Sequence, residues 1–160
     1  MEIREISPEE FETVWPVFQA VIQAGDTYAY APDMTIDEAR EEWTAPPART
    51  FAAWDDGEVV GCYLIKPNQP GLGSHVANCG YMVAPRARGR GIGGRLCEHS
   101  LATARESGFL AMQFNAVVAS NVAAVHLWQQ HGFAVVGRVP KAFRHAEQGL
   151  TDILVMHRFL

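Results

Sequence analysis

Tyr81-Met82-Val83-Ala84-Pro85-Arg86-Ala87-Arg88-Gly89-Arg90-Gly91-Ile92-Gly93-Gly94 is the stretch on which the reading of this chain turns. An apolar strand runs into a glycine-rich turn, and the turn opens a helix. Glycines at 89, 91, 93 and 94 remove side chains where a ligand would approach the backbone. The first turn of a helix leaves its N–H groups unpaired at the positive end of the dipole, a geometry that binds phosphate. Arg86, Arg88, Arg90 and Arg95 are four of the 13 Lys and Arg residues, crowded together in a chain of formal net charge −5. A polyanion is the natural partner of such a turn. The plain alternative is a tight strand-to-helix connection with a solvated basic patch. A P-loop fits poorly, because no Lys-Ser or Lys-Thr follows the glycines. A dinucleotide fingerprint fits poorly too. Its glycines follow the first strand of a parallel unit, with an acid about 20 residues on. Here they come midway, after a hairpin, and Leu110 to Phe114 hold the acidic position.

Working outward, short apolar strands alternate with helical segments, which predicts an α/β domain. Residues 2–6 form a first strand. Ser7, Pro8 and Glu10 open a helix with a capping box, which runs to Gly25 and should kink at Pro16. Thr35 to Glu38 repeats the box and starts a second helix that stops before Pro46. Residues 50–54 and 58–66 are strands joined at Asp55-Asp56-Gly57, a hairpin signal. Further strands are expected over 75–83, 109–118, 133–139 and 151–159. Helices are expected over 91–107 and from the Asn121 cap to near Gly132. The order is β-α-α-β-β-β-α-β-α-β-β, in one domain spanning 1–160.

With 160 residues the chain matches the length of a single domain. Its 48% hydrophobic and 19% charged residues suit a packed globule rather than a disordered chain. An acidic balance gives no general attraction to phosphate backbones, so no nucleic-acid partner is expected. Cys62, Cys79 and Cys97 are odd in number and form no C-x-x-C pair, so neither a disulfide framework nor a cysteine zinc site is expected. His126, His131, His145 and His157 lack metal-ligand spacing, and no metal is expected. No apolar run reaches a membrane span, and the acidic start MEIREISPEE is unlike a secretory signal. The expected location is cytoplasmic.

The segment Arg88-Gly89-Arg90-Gly91-Ile92-Gly93 resembles the [QR]-x-x-G-x-[GA] acyl-CoA motif of the GNAT superfamily of N-acetyltransferases. At the expected distance, Asn121 to Phe133 (NVAAVHLWQQHGF) resembles that family's second hallmark, N-x-x-A-x-x-[LF]-Y-x-x-x-G-F. The resemblance implies a mixed central sheet opened as a V between the fourth and fifth strands. It implies acetyl-CoA as cosubstrate. The backbones of Met82 and Val83 would then bond the pantetheine arm and the acetyl carbonyl. The amides of Arg88, Gly89, Arg90, Gly91, Ile92, Gly93 and Gly94 would cradle the pyrophosphate. Asn121 would reach the pantetheine while also capping its helix. One departure stands out. Where the family usually has a tyrosine acid, this chain has Trp128, whose indole N–H donates a hydrogen bond but does not titrate usefully.

Within that superfamily, Asn78-Cys79-Gly80-Tyr81 and Phe114-Asn115 are similar to segments of the yeast-type acetyltransferases of azetidine-2-carboxylate and other proline analogues. The resemblance implies that Asn78 and Asn115, on the fourth and fifth strands, hold substrate and acetyl group. Asparagine is depleted in strands, and its alternative role is to bond a bulge or buried backbone. Asp26-Thr27-Tyr28-Ala29-Tyr30 falls between the first two helices, where Tyr28 and Tyr30 would receive an amine or serve only as a packed loop. His75 is a candidate base through water or a surface histidine, and Cys79 is a small core residue rather than an acyl carrier. The expected activity is direct acetyl transfer to a small amine or amino acid, with Asn78, Asn115 and Trp128 at the reacting centre. A homodimer is the expected assembly. The competing functions are acetylation of a protein terminus or lysine, and a non-catalytic acyl-CoA sensor.

Overall fold

The computed structural model describes residues 1–160. Its strands are β1 (Glu2–Ile6), β2 (Arg49–Asp55), β3 (Glu58–Pro67), β4 (Val76–Val83), β5 (Ala111–Val118), β6 (Ala134–His145) and β7 (Gly149–Phe159). Its helices are α1 (Trp15–Ala24), α2 (Ile36–Thr44), α3 (Ile92–Glu106) and α4 (Val122–Gln130). All seven strands share one sheet in the order β1-β2-β3-β4-β5-β7-β6. Every neighbouring pair is antiparallel except β4 with β5. The element order is the one that the sequence predicts, and the architecture is a single-domain α+β fold with a mixed sheet.

The first helical segment differs from expectation. It is not one helix kinked at Pro16 but two pieces, a 3-10 turn over Pro8–Thr13 and then α1. Pro16 sits in the first turn of α1, where its missing N–H has no partner to lose. Both capping boxes form. Glu10 accepts from the Ser7 N–H at 3.0 Å, and Glu38 accepts from the Thr35 N–H at 2.8 Å. Strand β6 also runs past the predicted end at residue 139. Its pairing with β7 is interrupted between Val139 and Phe143, around Lys141 at φ 51°, and then resumes. Pro140 is tolerated because β6 is the sheet edge.

Phe11, Phe18, Trp43, Tyr63, Leu96 and Met156 are fully buried anchors of one 36-residue core cluster. Against this rigid frame the middle of the sheet comes apart. β4 and β5 pair only through Val76, Ala77 and Asn78 with Ala111, Met112 and Gln113. Beyond Asn78 the strands diverge. On its other side β5 carries a bulge. Phe114 faces Met156 of β7 but Val117 faces Leu154, so β5 has one residue more than its partner there. Such an extra residue bends its strand, and here it lies where β5 leaves β4.

A candidate active site in the fork of the sheet

The divergence of β4 from β5 opens a cleft of about 930 Å3. It is walled by β4, by the Gly89–Gly94 turn, by α4 and by the segment from Asp26 to Tyr30. Strand alternation decides which backbone groups face it. Ala84 N–H donates to Val60 O at 2.9 Å, and Asn68 N–H to Val76 O at 2.8 Å. The even-numbered residues of β4 therefore bond β3, and Met82 faces Cys62 in that ladder. Leu110 N–H donates to His75 O at 2.9 Å, which sets the odd-numbered residues toward β5. Past the fork, Tyr81 and Val83 thus offer their backbone N–H and C=O to the cleft. This corrects the expected pair. The backbone of Met82 is spent on β3, and the backbone groups that face the cleft are those of Val83 and Tyr81.

The glycine turn does two jobs. Gly89 and Gly91 adopt φ values of 77° and 75°, a region that side chains rarely enter, and Gly91 is the cap of α3. The first intrahelical bond is from Arg95 N–H to Gly91 O, so the amides of Ile92, Gly93 and Gly94 are left without helical partners. Gly93 has a second function. A β-carbon there would meet Leu127 of α4 at 3.1 Å, so this glycine also lets two helices approach. The arginines divide. Arg86 pairs with Glu58 at 2.8 Å and Arg90 with Asp55 at 2.6 Å, both acids at the β2–β3 hairpin. The Arg90 guanidinium beside it holds the Asp55 carboxyl below its ordinary range. Arg90 does not line the cleft; Arg88 does. Four arginines in the sequence therefore amount to less free charge at the turn than their number suggests.

Asn78 lies at the last rung before the fork, where its Nδ2 donates to Gln113 O at 3.0 Å. Asn115 lies on the bulge. Its Nδ2 donates to Asn68 at 2.7 Å and its Oδ1 accepts from Gln113 at 3.0 Å. Both line the cleft. The amide of Asn115 is engaged at both ends by neighbours, whereas Asn78 keeps its oxygen in hand. Asn121 also lines the cleft and caps α4, its Oδ1 accepting from Ala124 N–H at 3.3 Å.

Trp128 is buried at 8% exposure among Tyr81 and Phe114, with ring centroids 4.8 and 5.1 Å away. Tyr28 stacks on Tyr30 at 5.4 Å, and Tyr30 accepts a hydrogen bond from Trp43 Nε1 at 3.1 Å. Burial pushes the Tyr30 hydroxyl up to about 12, and that of Tyr28 well above its ordinary value, so both stay protonated. His75 is exposed and lies outside the cleft lining. Cys79 lines the cleft, but burial raises its thiol far above the range of a nucleophile, and Cys62 and Cys97 are likewise pushed up to about 12. No group of His, Cys, Asp and Glu could hold a metal ion. No helix is long and apolar enough to cross a membrane.

Sequence and fold both match known proteins. The sequence model described as "Acetyltransferase (GNAT) family" matches residues 4–133. This chain belongs to that acetyltransferase family. The N-acetyltransferase aca1 of Schizosaccharomyces pombe is 32% identical over 151 residues, covering 84% of this chain and 72% of that protein. A GCN5-related N-acetyltransferase from Kribbella flavida has the same fold at TM-score 0.93 and 45% identity, over 99% of this chain and 97% of that one. A phosphinothricin acetyltransferase from Sinorhizobium meliloti, solved with acetyl-CoA, shares the fold at TM-score 0.87 and 18% identity, over 99% and 88% of the two chains.

The sequence reading weighs His145 only as a metal ligand and does not place it in the cleft. It lines the cleft from the end of β6, on the far edge of the sheet, and nothing local in the sequence marks it.

Proposed function

We propose that the fork binds acetyl-CoA and that the chain transfers the acetyl group directly to a small amine or amino acid. The observation that carries this is the continuity of free backbone groups. Tyr81 and Val83 face the cleft where β5 has left, and the unpaired amides of Ile92, Gly93 and Gly94 stand at its end. Strand groups of this kind suit an amide-bearing arm, and helix-start amides suit its diphosphate. When bound, acetyl-CoA supplies an activated thioester acyl group. An N–H of β4 aimed into the cleft is a preorganised donor for the oxygen on which charge develops. The rest of the task is positioning.

The chain's own residues favour direct transfer over a covalent route, because the buried thiols are poor nucleophiles. Trp128 serves as a wall of the cofactor side, packed against Tyr81 and Phe114, rather than as an acid. Asn78, with its free carbonyl oxygen at the fork, suits the acceptor's N–H. Tyr28, Tyr30 and Asp26 close the acceptor side, which favours a small molecule over a protein chain.

The test is release of free thiol from acetyl-CoA across amino acids, proline analogues, polyamines, antibiotics and basic peptides. Turnover concentrated on small amines supports the proposal, and turnover on peptides alone moves the acceptor to proteins. Saturable acetyl-CoA binding without any turnover replaces it with an acyl-CoA sensor.

A further inference from the structure

The last rung of the β2–β3 ladder sets two acids face to face. Asp55 and Glu58 are cross-strand partners, closed by a two-residue turn in which Asp56 and Gly57 have φ values of 50° and 81°. Positive φ at both turn residues is the tight form that suits a hairpin. Like charges directly opposite one another destabilise such a pair of strands. Here each acid meets a cation from the glycine turn. Glu58 pairs with Arg86 at 2.8 Å, and Arg86 also donates to Val59 O at 3.2 Å. Asp55 pairs with Arg90 at 2.6 Å.

The two arginines bracket the segment that leads into α3. Its first end is held by packing as well, because Ala87 is fully buried. Its second end is not. Gly89 and Gly91 flank Arg90 at positive φ, and a β-carbon on either would meet nothing within 4 Å. Glycine has more backbone freedom to lose than any other residue. Arg90 therefore carries the one side chain of the Gly89–Gly91 arch, and that side chain is tied to Asp55. Arg88, midway between the two ion pairs, is left for the cleft.

We propose that Asp55 and Glu58 are positioning residues for the cosubstrate, and that the β2–β3 hairpin holds the glycine arch in its binding shape through Arg90 and Arg86 without touching acetyl-CoA. This deepens the proposed function and rests on its reading of the turn as the seat of the diphosphate. An arch ordered before its ligand arrives loses less freedom on binding. Charge alone has the opposite sign. A carboxylate near a diphosphate repels it, so removing the Asp55 charge would by itself tighten binding. Loss of the clamp weakens it.

The experiment measures acetyl-CoA affinity of the full chain by calorimetry. Wild type is set beside Asp55→Asn, Arg90→Gln, the double variant of those two, and Asp55→Asn combined with Glu58→Gln. An exposed ion pair shifts an equilibrium by at most about fivefold, so Asp55→Asn should raise the dissociation constant about threefold to fivefold. Arg90→Gln should raise it at least as much. Asp55 also lies 3.6 Å from the Met1 amino group, a contact that Arg90→Gln leaves alone. In the double variant the two charge changes cancel, and binding should still be weaker than in the wild type. Cutting both ion pairs through their acids should cost about tenfold, the two losses adding. Turnover at saturating acetyl-CoA should stay within about twofold of wild type for Asp55→Asn, so that its loss appears in KM. NMR order parameters of the Gly89 and Gly91 amides in the free protein should fall in Asp55→Asn and in Arg90→Gln. Unchanged or tighter binding by Asp55→Asn overturns the proposal, whatever happens to the melting temperature. A double variant that returns to wild-type affinity overturns it as well, because charge alone then accounts for the singles. A wild type that binds no acetyl-CoA defeats the diphosphate reading itself. Wild-type binding that is indifferent to both acids defeats only the clamp.

Discussion

The hydroxyl of Tyr28 occupies the space that a β-carbon at Gly80 would take. The two residues meet across the cleft, one from the segment after α1 and the other from β4. A glycine in mid-strand weakens the strand, so its presence at position 80 is explained by what rests on it. Gly80→Ala should displace the Tyr28 ring, lower stability by about 1–3 kcal/mol as an overpacked site does, and impair acceptor binding more than cofactor binding. Tyr28→Phe in the same chain removes the colliding oxygen, leaving Cζ at 3.5 Å, an ordinary contact. The double variant should recover most of the lost melting temperature, and additive losses in that cycle would disprove the contact.

Gly91→Glu should abolish acetyl-CoA binding while the protein stays folded. A side chain at φ 75° costs about 1–2 kcal/mol, and the carboxylate stands in the approach to the α3 amides. Gly91→Ala carries the same backbone strain without the charge, so it separates the two effects. Calorimetry should show near-normal affinity for Gly91→Ala and none for Gly91→Glu.

Asn78→Ala and Asn115→Ala should differ. Asn78 has a free oxygen at the fork, and its loss should lower turnover at least about tenfold, which is about 1.4 kcal/mol of barrier, with acetyl-CoA affinity kept. Asn115 is engaged by Asn68 and Gln113 on an exposed bulge. Its replacement should change stability by no more than about 0.5 kcal/mol and turnover less than Asn78→Ala does. Equal kinetic losses, measured on the best acceptor of the screen, would return Asn115 to the reacting centre.

Trp128→Phe should lower the melting temperature, because a smaller ring leaves a void against Tyr81 and Phe114. Turnover should stay within about tenfold of wild type. Loss of one hydrogen bond to a developing charge costs about 10²-fold or more, so a drop of that size with unchanged cofactor affinity would make the indole N–H a catalytic donor.

What could be read from sequence follows the reach of each signal. The glycine turn, the Asn121 cap and both capping boxes are written within a few residues of one another, and all form as the spacing predicts. Pro16 misled because a proline inside a helical pattern and a proline starting a second helix look alike until the 3-10 turn before it is seen. Tyr81 rather than Met82 turns its backbone to the cleft, and this was not legible because strand alternation is visible in sequence but the identity of the neighbour on each edge is not. The arginine cluster seemed free because its acidic partner Asp55 lies 35 residues from Arg90. His145 and Asp26 share a cleft only because the β6–β7 end folds back onto the end of α1.

The surplus residue in β5 gives the binding site a simple origin. β5 and β7 disagree in length by one position near Asn115 and Ala116. A strand bent by such a surplus turns away from the line of its neighbour on the other side. The opening is thus an arithmetic remainder of strand pairing rather than a gap left by small side chains. Substitution of wall residues would reshape it but not close it. Deleting a single position from β5 would remove the surplus against β7 and straighten the strand at the mouth of the fork.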